Sequence, residues 1–582
     1  VSQDAPTGTN PPPATTPGDA GGSTAPEETH QDSRLLGRSA VMAAGTVVSR
    51  ASGLVRAALL VAAIGSLQHA DVFNVANTIP NALYILLAGG VFNAVLVPQL
   101  VRALRNDADG GEAYTNRIIT AFGLFLAVVT IALVVAAPWV VQLYARGYPP
   151  EAQQSLIAFT RYCVPQIFFY GMFVLVGQVL NARGRFGPMM WAPIANNVVS
   201  VAVLVAYLVA FGSYDDALDA CTGYSTSQEL VLGLGSTLGI VVQCAILVPY
   251  LRRAGYTYRP RFDLRGTGLG HTARLGVWTL LFVLVNQVAY IVVVNLASSG
   301  TTGCGATAQA DATGYTIYSQ SFLLVMVPHS VVTVSLATAL LPLLSSRAAA
   351  GDLTGLARSL ASTLRTALAV IVPVAALLPV VAPDVARLVF GHGAGSATAD
   401  NYGPTLALFG IAFVAFTVHY LVLRGFYALE RNRTVFFIQC AVAATNIALA
   451  VVLVGRTDAA DTAPSLVVAY GGAYLVGALI SYTVLRRLLG GLETPALLGF
   501  LARLLVAVVV ALGAALLLRE VLPDPGTGQV LALLRLVVVG LVDVAVFLAV
   551  ALLLRLDEVG AVVSLVAGRL IPSRGGRHRS RL

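Results

Sequence analysis

A chain of 582 residues has length for about four soluble domains. Yet 11% of its residues are charged, where a soluble domain carries roughly 25%, 57% are hydrophobic, and the mean hydropathy is +0.79. The net charge of +8 is carried wholly by arginine, because the sequence contains no lysine; this excludes a Walker A loop and Schiff-base catalysis, which both need a lysine amine.

In chain order, residues 1–33 are rich in Pro, Thr, Gly and acids and poor in large apolar side chains. Such a stretch cannot bury enough surface to offset chain entropy, so a disordered cytoplasmic tail is expected over 1–35. It has no signal-peptide apolar core, which leaves the first span to direct insertion. From Leu36 to Leu556 apolar runs of roughly 20 residues recur. Each can cross ~30 Å of hydrocarbon as a helix. The runs are continuous rather than alternating, which rules out a barrel. The reading is an all-α polytopic membrane protein with about 14 transmembrane helices, at 38–65, 74–101, 117–143, 155–181, 187–211, 230–250, 272–297, 315–345, 359–389, 403–428, 434–455, 464–485, 496–519 and 529–556.

Arginine placement orients these spans. Alternate loops hold Arg102 and Arg105, Arg183 and Arg185, a group from Arg252 to Arg265, Arg347 and Arg358, Arg431 and Arg433, and Arg486 and Arg487. Arginine marks the cytoplasmic side. Arg34 and Arg38 precede the first span and Arg574 to Arg581 follow the last. Both termini are therefore expected in the cytoplasm of a bacterial-type cell, and the chain in its inner membrane, with 557–582 as a basic cytoplasmic tail. The basic surplus reports orientation, so no nucleic-acid partner is expected.

Two pairs of segments match at an offset of about 245–250 residues. AVLVPQLVRAL ends the second span as TALLPLLSSRA ends the eighth, and Asn196 follows Arg183 as Asn446 follows Arg433. An offset of six spans preserves orientation, which implies parallel repeats with a site between them near the midplane. The expected organisation is an N-lobe at 36–255, a C-lobe at 256–490 and two further spans at 491–556.

Charge at membrane depth defaults to function. Arg50 and Arg56, in SRASGLVR, are the deepest candidates, and their planar donor forks suit phosphate oxygens. Six residues separate them, which sets the side chains about 120° apart on an ideal helix, so one shared site needs a wide cavity or a bend at Gly53. Asp71, Asn74, Asn77 and Asn81 form one polar stripe on the second span, which either faces a watery cavity or joins helices. Pro80, Gly89 and Gly90 permit bending there. Asn286 and Gln287, with Gln320 and His329, are candidates for the facing wall. Asp543 in the last span is read as structural, neutralised by Arg503 or Arg535. Cys163, Cys244 and Cys440 fall in spans as small core residues, whereas Cys221 and Cys304 fall in successive external loops where oxidation is permitted and are candidates for a disulfide. No cysteine pair has zinc-ligand spacing, so no metal is expected.

At SRASGLVRAALLVAAIG and ADVFNVANTIPNALYILLAGGVFNAVLVPQLVRAL the chain resembles the MurJ (MviN) lipid II flippases, most of all their actinobacterial branch, also through QIFFYG and GQVLNARGRFGPMMWAPIANNVV. The resemblance covers residues 36–556. It implies the fold of the multidrug/oligosaccharidyl-lipid/polysaccharide (MOP) exporter superfamily, with two six-helix lobes around a cationic cavity and a lipid-tail groove formed by the last two helices. It also implies that Arg50 and Arg56 are the family's first-helix arginines, Asp71 its acid before the second helix, and Pro80–Asn81 its PN pair. The chain departs from many relatives at Ala57, where they carry Asp, and at Tyr84 and in YSQSFLL, where they carry arginine.

The expected function is transport rather than catalysis, without a cofactor. The headgroup of lipid II, or of a similar polyprenyl-diphosphate-linked saccharide, crosses by alternating access, driven by membrane potential, an ion gradient or downstream consumption. Membrane lipids and cell-wall synthesis proteins are the expected partners. The alternatives are another exporter of the superfamily, for polysaccharide-lipid or drug/cation cargo, and a non-transporting scaffold for cell-wall synthesis.

Overall fold

A computed structural model describes residues 45, 47–86, 103, 109, 111–185, 187–214, 223–263, 269–303, 309–526 and 528–570. The helices are α1 (Val47–Ile64), α2 (Gln68–Ile85), α3 (Glu112–Val135), α4 (Ala137–Tyr144), α5 (Pro150–Cys163), α6 (Gln166–Ala182), α7 (Gly187–Phe211), α8 (Thr226–Ala245) and α9 (Leu247–Arg253). After a linker come α10 (Leu269–Ser299), α11 (Tyr315–Ala349), α12 (Leu353–Phe390), α13 (Tyr402–Ala428), α14 (Asn432–Val454), α15 (Thr462–Leu488), α16 (Thr494–Val521), α17 (Gln529–Leu553) and α18 (Asp557–Leu570). Among the described residues, 13 helical stretches are long and apolar enough to cross a membrane. The expected second span is described only as far as Leu86, and Gly89 and Gly90 lie outside the described residues.

Lipid allows no unpaired backbone, and local sequence shapes the helices within that limit. α5 and α6 form one 33-residue crossing interrupted at Val164–Pro165. Ser225 and Gln228 close a capping box on α8, and Asp352 caps α12 through the Gly355 amide at 2.8 Å. Bulky apolar side chains point outward, as at Val209, Leu517 and Leu553. In a membrane this is the solvated face, not an aggregation hazard.

Two groups of helices pack mainly within themselves: α2, α3 and α5–α9, then α10–α15. They meet where α2 and α4 touch α10 and α11. The linker is an extended strap over 256–263 laid on α3. Tyr256 Oη donates to Asn116 Oδ1 at 2.7 Å, the Arg261 amide donates to Thr120 Oγ1 at 3.1 Å, and Arg117 pairs with Asp263 at 2.7 Å. The Arg117 guanidinium holds the Asp263 carboxyl below the usual carboxylate range.

α16 and α17 pack on α12. Here the structure corrects the sequence reading of Asp543. Arg535 pairs instead with Asp384 of α12, its Nη2 2.6 Å from Oδ1, with both side chains buried. Arg503 donates to the backbone carbonyls of Gly499, Leu554 and Arg555. Asp384 follows three prolines in α12 and had not been singled out. The stretch after Leu556 is not simply a tail: α18 packs against α12 and α17.

Candidate functional site

Arg56 lines a hollow with about 500 Å³ of empty space between α1, α2, α7, α8 and α11. Asn74 and Asn77 of α2 and Gln320 of α11 share its wall, joined by Ser200 and Ser236. Four residues proposed from sequence are thus brought together. The wall carries no carboxylate, and Arg56 makes no ion pair among the described residues. A guanidinium in that setting lacks a neutralising partner, which favours an anionic guest.

Other sequence candidates are placed elsewhere. Arg50 is exposed on α1 and does not line this hollow. α1 runs as a helix through Gly53, where the neighbouring Asn197 donates to the Ser49 carbonyl at 3.0 Å and to Ser52 Oγ at 2.8 Å. Asn81 is exposed on α2, and Pro80 lies inside the continuous helix. His329 is buried in the α10–α15 group, its ring against Phe416 and Tyr420, and 3.4 Å from Thr417 Oγ1. It belongs to that interior rather than to the wall facing Arg56. Cys221 and Cys304 lie outside the described residues; Cys163, Cys244 and Cys440 are free thiols.

Asp71 has a different role from the ligand contact expected of it. It is fully buried and caps α11 from across the seam between the two groups. Its carboxylate accepts from Thr301 Oγ1 at 2.7 Å, from the Tyr315 amide at 3.0 Å and from the Thr316 amide at 2.5 Å. The α11 N-terminus has no cap of its own, so a carboxylate there meets orphan amides and the positive end of the helix. Gly314 makes room: a Cβ on it would lie 2.0 Å from Asp71 Oδ2. Asn74 Nδ2 donates to Thr316 Oγ1 at 2.9 Å, Thr78 meets the Tyr315 hydroxyl at 2.6 Å, and Ser66 meets Thr398 at 2.5 Å. Behind them the His69 ring is sandwiched between Tyr214 and Tyr224 at 3.7 and 3.5 Å. The hydrogen bonds that join the two groups among the described residues cluster at this end, where α1 turns into α2. One face of the seam is latched.

A second hollow, with about 610 Å³ of empty space, lies in the α10–α15 group and holds Asn286 and Gln287. Sequence reasoning passed over its further wall residues Gln439, Tyr420 and Tyr474, and over Arg424 nearby. Arg424 stacks its guanidinium 4.2 Å over Tyr420 and 5.6 Å from Tyr427, with its Nε buried and unpaired. An arginine inside the apolar run HYLVLRGFY was a readable signal. A long apolar groove with about 1750 Å³ of open space runs along α12, α13, α15 and α16, past Leu408, Val468, Leu475 and Leu501. Of the last two spans only α16 walls it.

The sequence model of the family described as "Lipid II flippase MurJ" matches residues 60–537. The "Probable lipid II flippase MurJ" of Rhizobium meliloti is 28% identical over 487 residues, 82% of this chain and 85% of that protein. The "Lipid II flippase MurJ" of Burkholderia cenocepacia is 28% identical over 399 residues, 67% and 72% of the two chains. Among solved structures, one titled "Lipid II flippase MurJ, inward closed conformation" superposes with a TM-score of 0.69 at 16% identity, covering 89% of this chain and 99% of that one. An inward-facing MATE family multidrug transporter of the MOP superfamily superposes at 0.59 with 15% identity, covering 77% and 96%. At these identities the structural likeness concerns the fold.

Proposed function

This chain belongs to the MurJ lipid II flippase family, and on that premise we propose that it carries the headgroup of lipid II from the cytoplasmic to the outer leaflet of a bacterial inner membrane. The helices α1–α9 act as an N-lobe, α10–α15 as a C-lobe, and both termini lie in the cytoplasm. The observation that carries the reading is Arg56: a cation without a carboxylate partner among the described residues, on a hollow at the seam of two helix groups. Its fork takes the diphosphate, while Asn74, Asn77 and Gln320 supply neutral hydrogen bonds beside it. The polyprenyl chain stays apolar throughout, and the groove along α12, α13, α15 and α16 suits it.

On this reading the latch around Asp71 corresponds to an inward-facing state, because the α1–α2 turn is external by the arginine rule. Opening the latch while the opposite end closes completes one transfer. No cofactor is required; membrane potential, an ion gradient or consumption of the product outside supplies direction. Among sister functions, cation export is disfavoured because no carboxylate lines the Arg56 hollow. Vesicles reconstituted with the full chain and labelled lipid II test the proposal. Protein-dependent loss of label from the inner leaflet is expected, and an unchanged distribution with folded protein refutes it. A scaffold would retain complementation of a depletion strain in an Arg56→Ala variant; a flippase loses it.

A further inference from the structure

The geometry points to a second subsite: the hollow in the α10–α15 group holds neutral sugar rings of the headgroup, while the Arg56 hollow holds its diphosphate. This rests on the flippase reading and adds where the uncharged part of the cargo sits. Its cavity volume of about 240 Å³ lies just below the size range of small-ligand pockets, which suits a sugar ring rather than a whole headgroup. Ile85 of α2 lines it beside residues of α10, α13, α14 and α15, so the hollow borders the seam between the two groups.

Its wall has the chemistry of a polyhydroxylated, uncharged ligand. No carboxylate and no guanidinium line it among the described residues; its one titratable nitrogen group is the His419 imidazole, and the Arg424 guanidinium stands behind the Tyr420 ring rather than in the wall. Three side-chain amides converge instead. Gln439 Nε2 donates to Asn286 Oδ1 at 2.7 Å, and Asn286 Nδ2 donates to the Phe282 carbonyl at 2.8 Å. Those bonds fix two amide planes; Gln439 also reaches His419 and Tyr474, whereas Asn286 keeps one donor and one acceptor position unused. Gln287 Oε1 is buried with no partner. Buried acceptors are seldom left so, and a hydroxyl donor from a guest answers it.

Opposite the amides stand rings. Phe416 packs edge-on to Tyr474 at 4.9 Å and stacks with Tyr420 at 6.0 Å, forming an aromatic wall. A pyranose has both kinds of surface, an apolar C–H face for rings and a rim of hydroxyls for amides. An apolar guest would cover the rings but leave Gln287 unanswered. A metal ion would find no anionic ligand.

The test compares two probes on the full chain in nanodiscs by competitive native mass spectrometry: a bare polyprenyl diphosphate and the same diphosphate carrying a disaccharide. The wild-type chain is expected to prefer the glycosylated probe by about tenfold, as a site built for hydroxyls discriminates against an analogue that lacks them. Gln287→Leu and Gln439→Leu should abolish most of that preference and leave binding of the bare probe unchanged. Arg56→Gln should weaken both probes alike. Gln439→Leu also breaks the bond to Asn286; if it fails to bind even the bare probe, Gln287→Leu decides, since its acceptor makes no bond within the protein. A preference that survives Gln287→Leu overturns the subsite, as does equal binding of the two probes by the wild type. If the wild type binds neither, the flippase reading fails, and this one with it.

Discussion

Asp71→Ala is the perturbation that bears most directly on alternating access. It removes the acceptor for Thr301 Oγ1 and for the amides of Tyr315 and Thr316. A hydrogen bond to a charged partner contributes ~1.5–3 kcal/mol, and a buried donor left unpaired adds its desolvation cost. The bonds of Asn74, Thr78 and Ser66 remain, and water entering the gap recovers part of the loss. A net loss of about 3 kcal/mol is a fair sum, roughly a hundredfold change in the equilibrium between states. The loss falls on the latched state, since the partners sit on opposite helix groups. The assay is external labelling of Ser236→Cys, which lines the Arg56 hollow, by a membrane-impermeant maleimide in a background without the native cysteines. Labelling should be slow with Asp71 present and faster by more than about tenfold with Asp71→Ala. Gly314→Ala gives an independent route, because its Cβ would collide with Asp71 Oδ2 at 2.0 Å and Thr301 Cγ2 at 2.6 Å. Equal labelling rates in wild type and both variants would refute the latch.

Arg56→Gln should lower lipid II transfer in vesicles by more than about tenfold at unchanged expression, with Arg50→Gln less severe because Arg50 does not line the hollow. Arg535→Leu strands the buried Asp384 carboxylate and should cost about 3–5 kcal/mol, read as a lower unfolding temperature in detergent, while Arg535→Leu with Asp384→Leu recovers most of it. Non-reducing mass spectrometry of peptides holding Cys221 and Cys304 should find them joined; finding both only as free thiols counts against the pairing.

Much of the fold was legible because lipid imposes one rule on every span: backbone satisfied within the segment, apolar atoms outward. The polar stripe of α2 was legible too, since three- and four-residue spacing fixes a helix face. Its duties were not. Asn77 faces the Arg56 hollow, where it accepts from Gln166 Nε2 at 3.1 Å, whereas Asp71 faces α11. The partners of Asp71 lie 230 to 245 residues further along the chain, and no local pattern reports a contact at that range. A separation of 151 residues likewise hid Arg535 with Asp384, and made Asp543 seem the nearer acid. Arg424 was different: its charge inside an apolar run is visible in the sequence itself. His329 shows the reverse error, in which a polar residue at span depth serves the interior of its own group.

The two ends of the seam pose a thermodynamic question that the latch helps to answer. A carrier must hold one side shut and yet release it many times, so neither closure can be deep. A seal made by hydrogen bonds meets this need, because water replaces each bond on opening and the net loss stays at ~1 kcal/mol for a neutral bond and ~1.5–3 kcal/mol for one to a charged group. The latch gathers a few such bonds around one carboxylate, a stability that differential binding of a ligand can overcome. Arg56 supplies the differential on the proposed reading. While the hollow is empty, closing it at the cytoplasmic end would dehydrate an unpaired guanidinium, which is costly. A diphosphate entering beside it cancels that charge and makes the closed arrangement accessible. The cargo thereby lowers the barrier to its own transfer, and the empty protein rests with the latch around Asp71 closed. On this reading the Asp71 carboxylate of α2 and the Arg56 guanidinium of α1 serve one cycle, the first holding the outside shut while the second awaits cargo within.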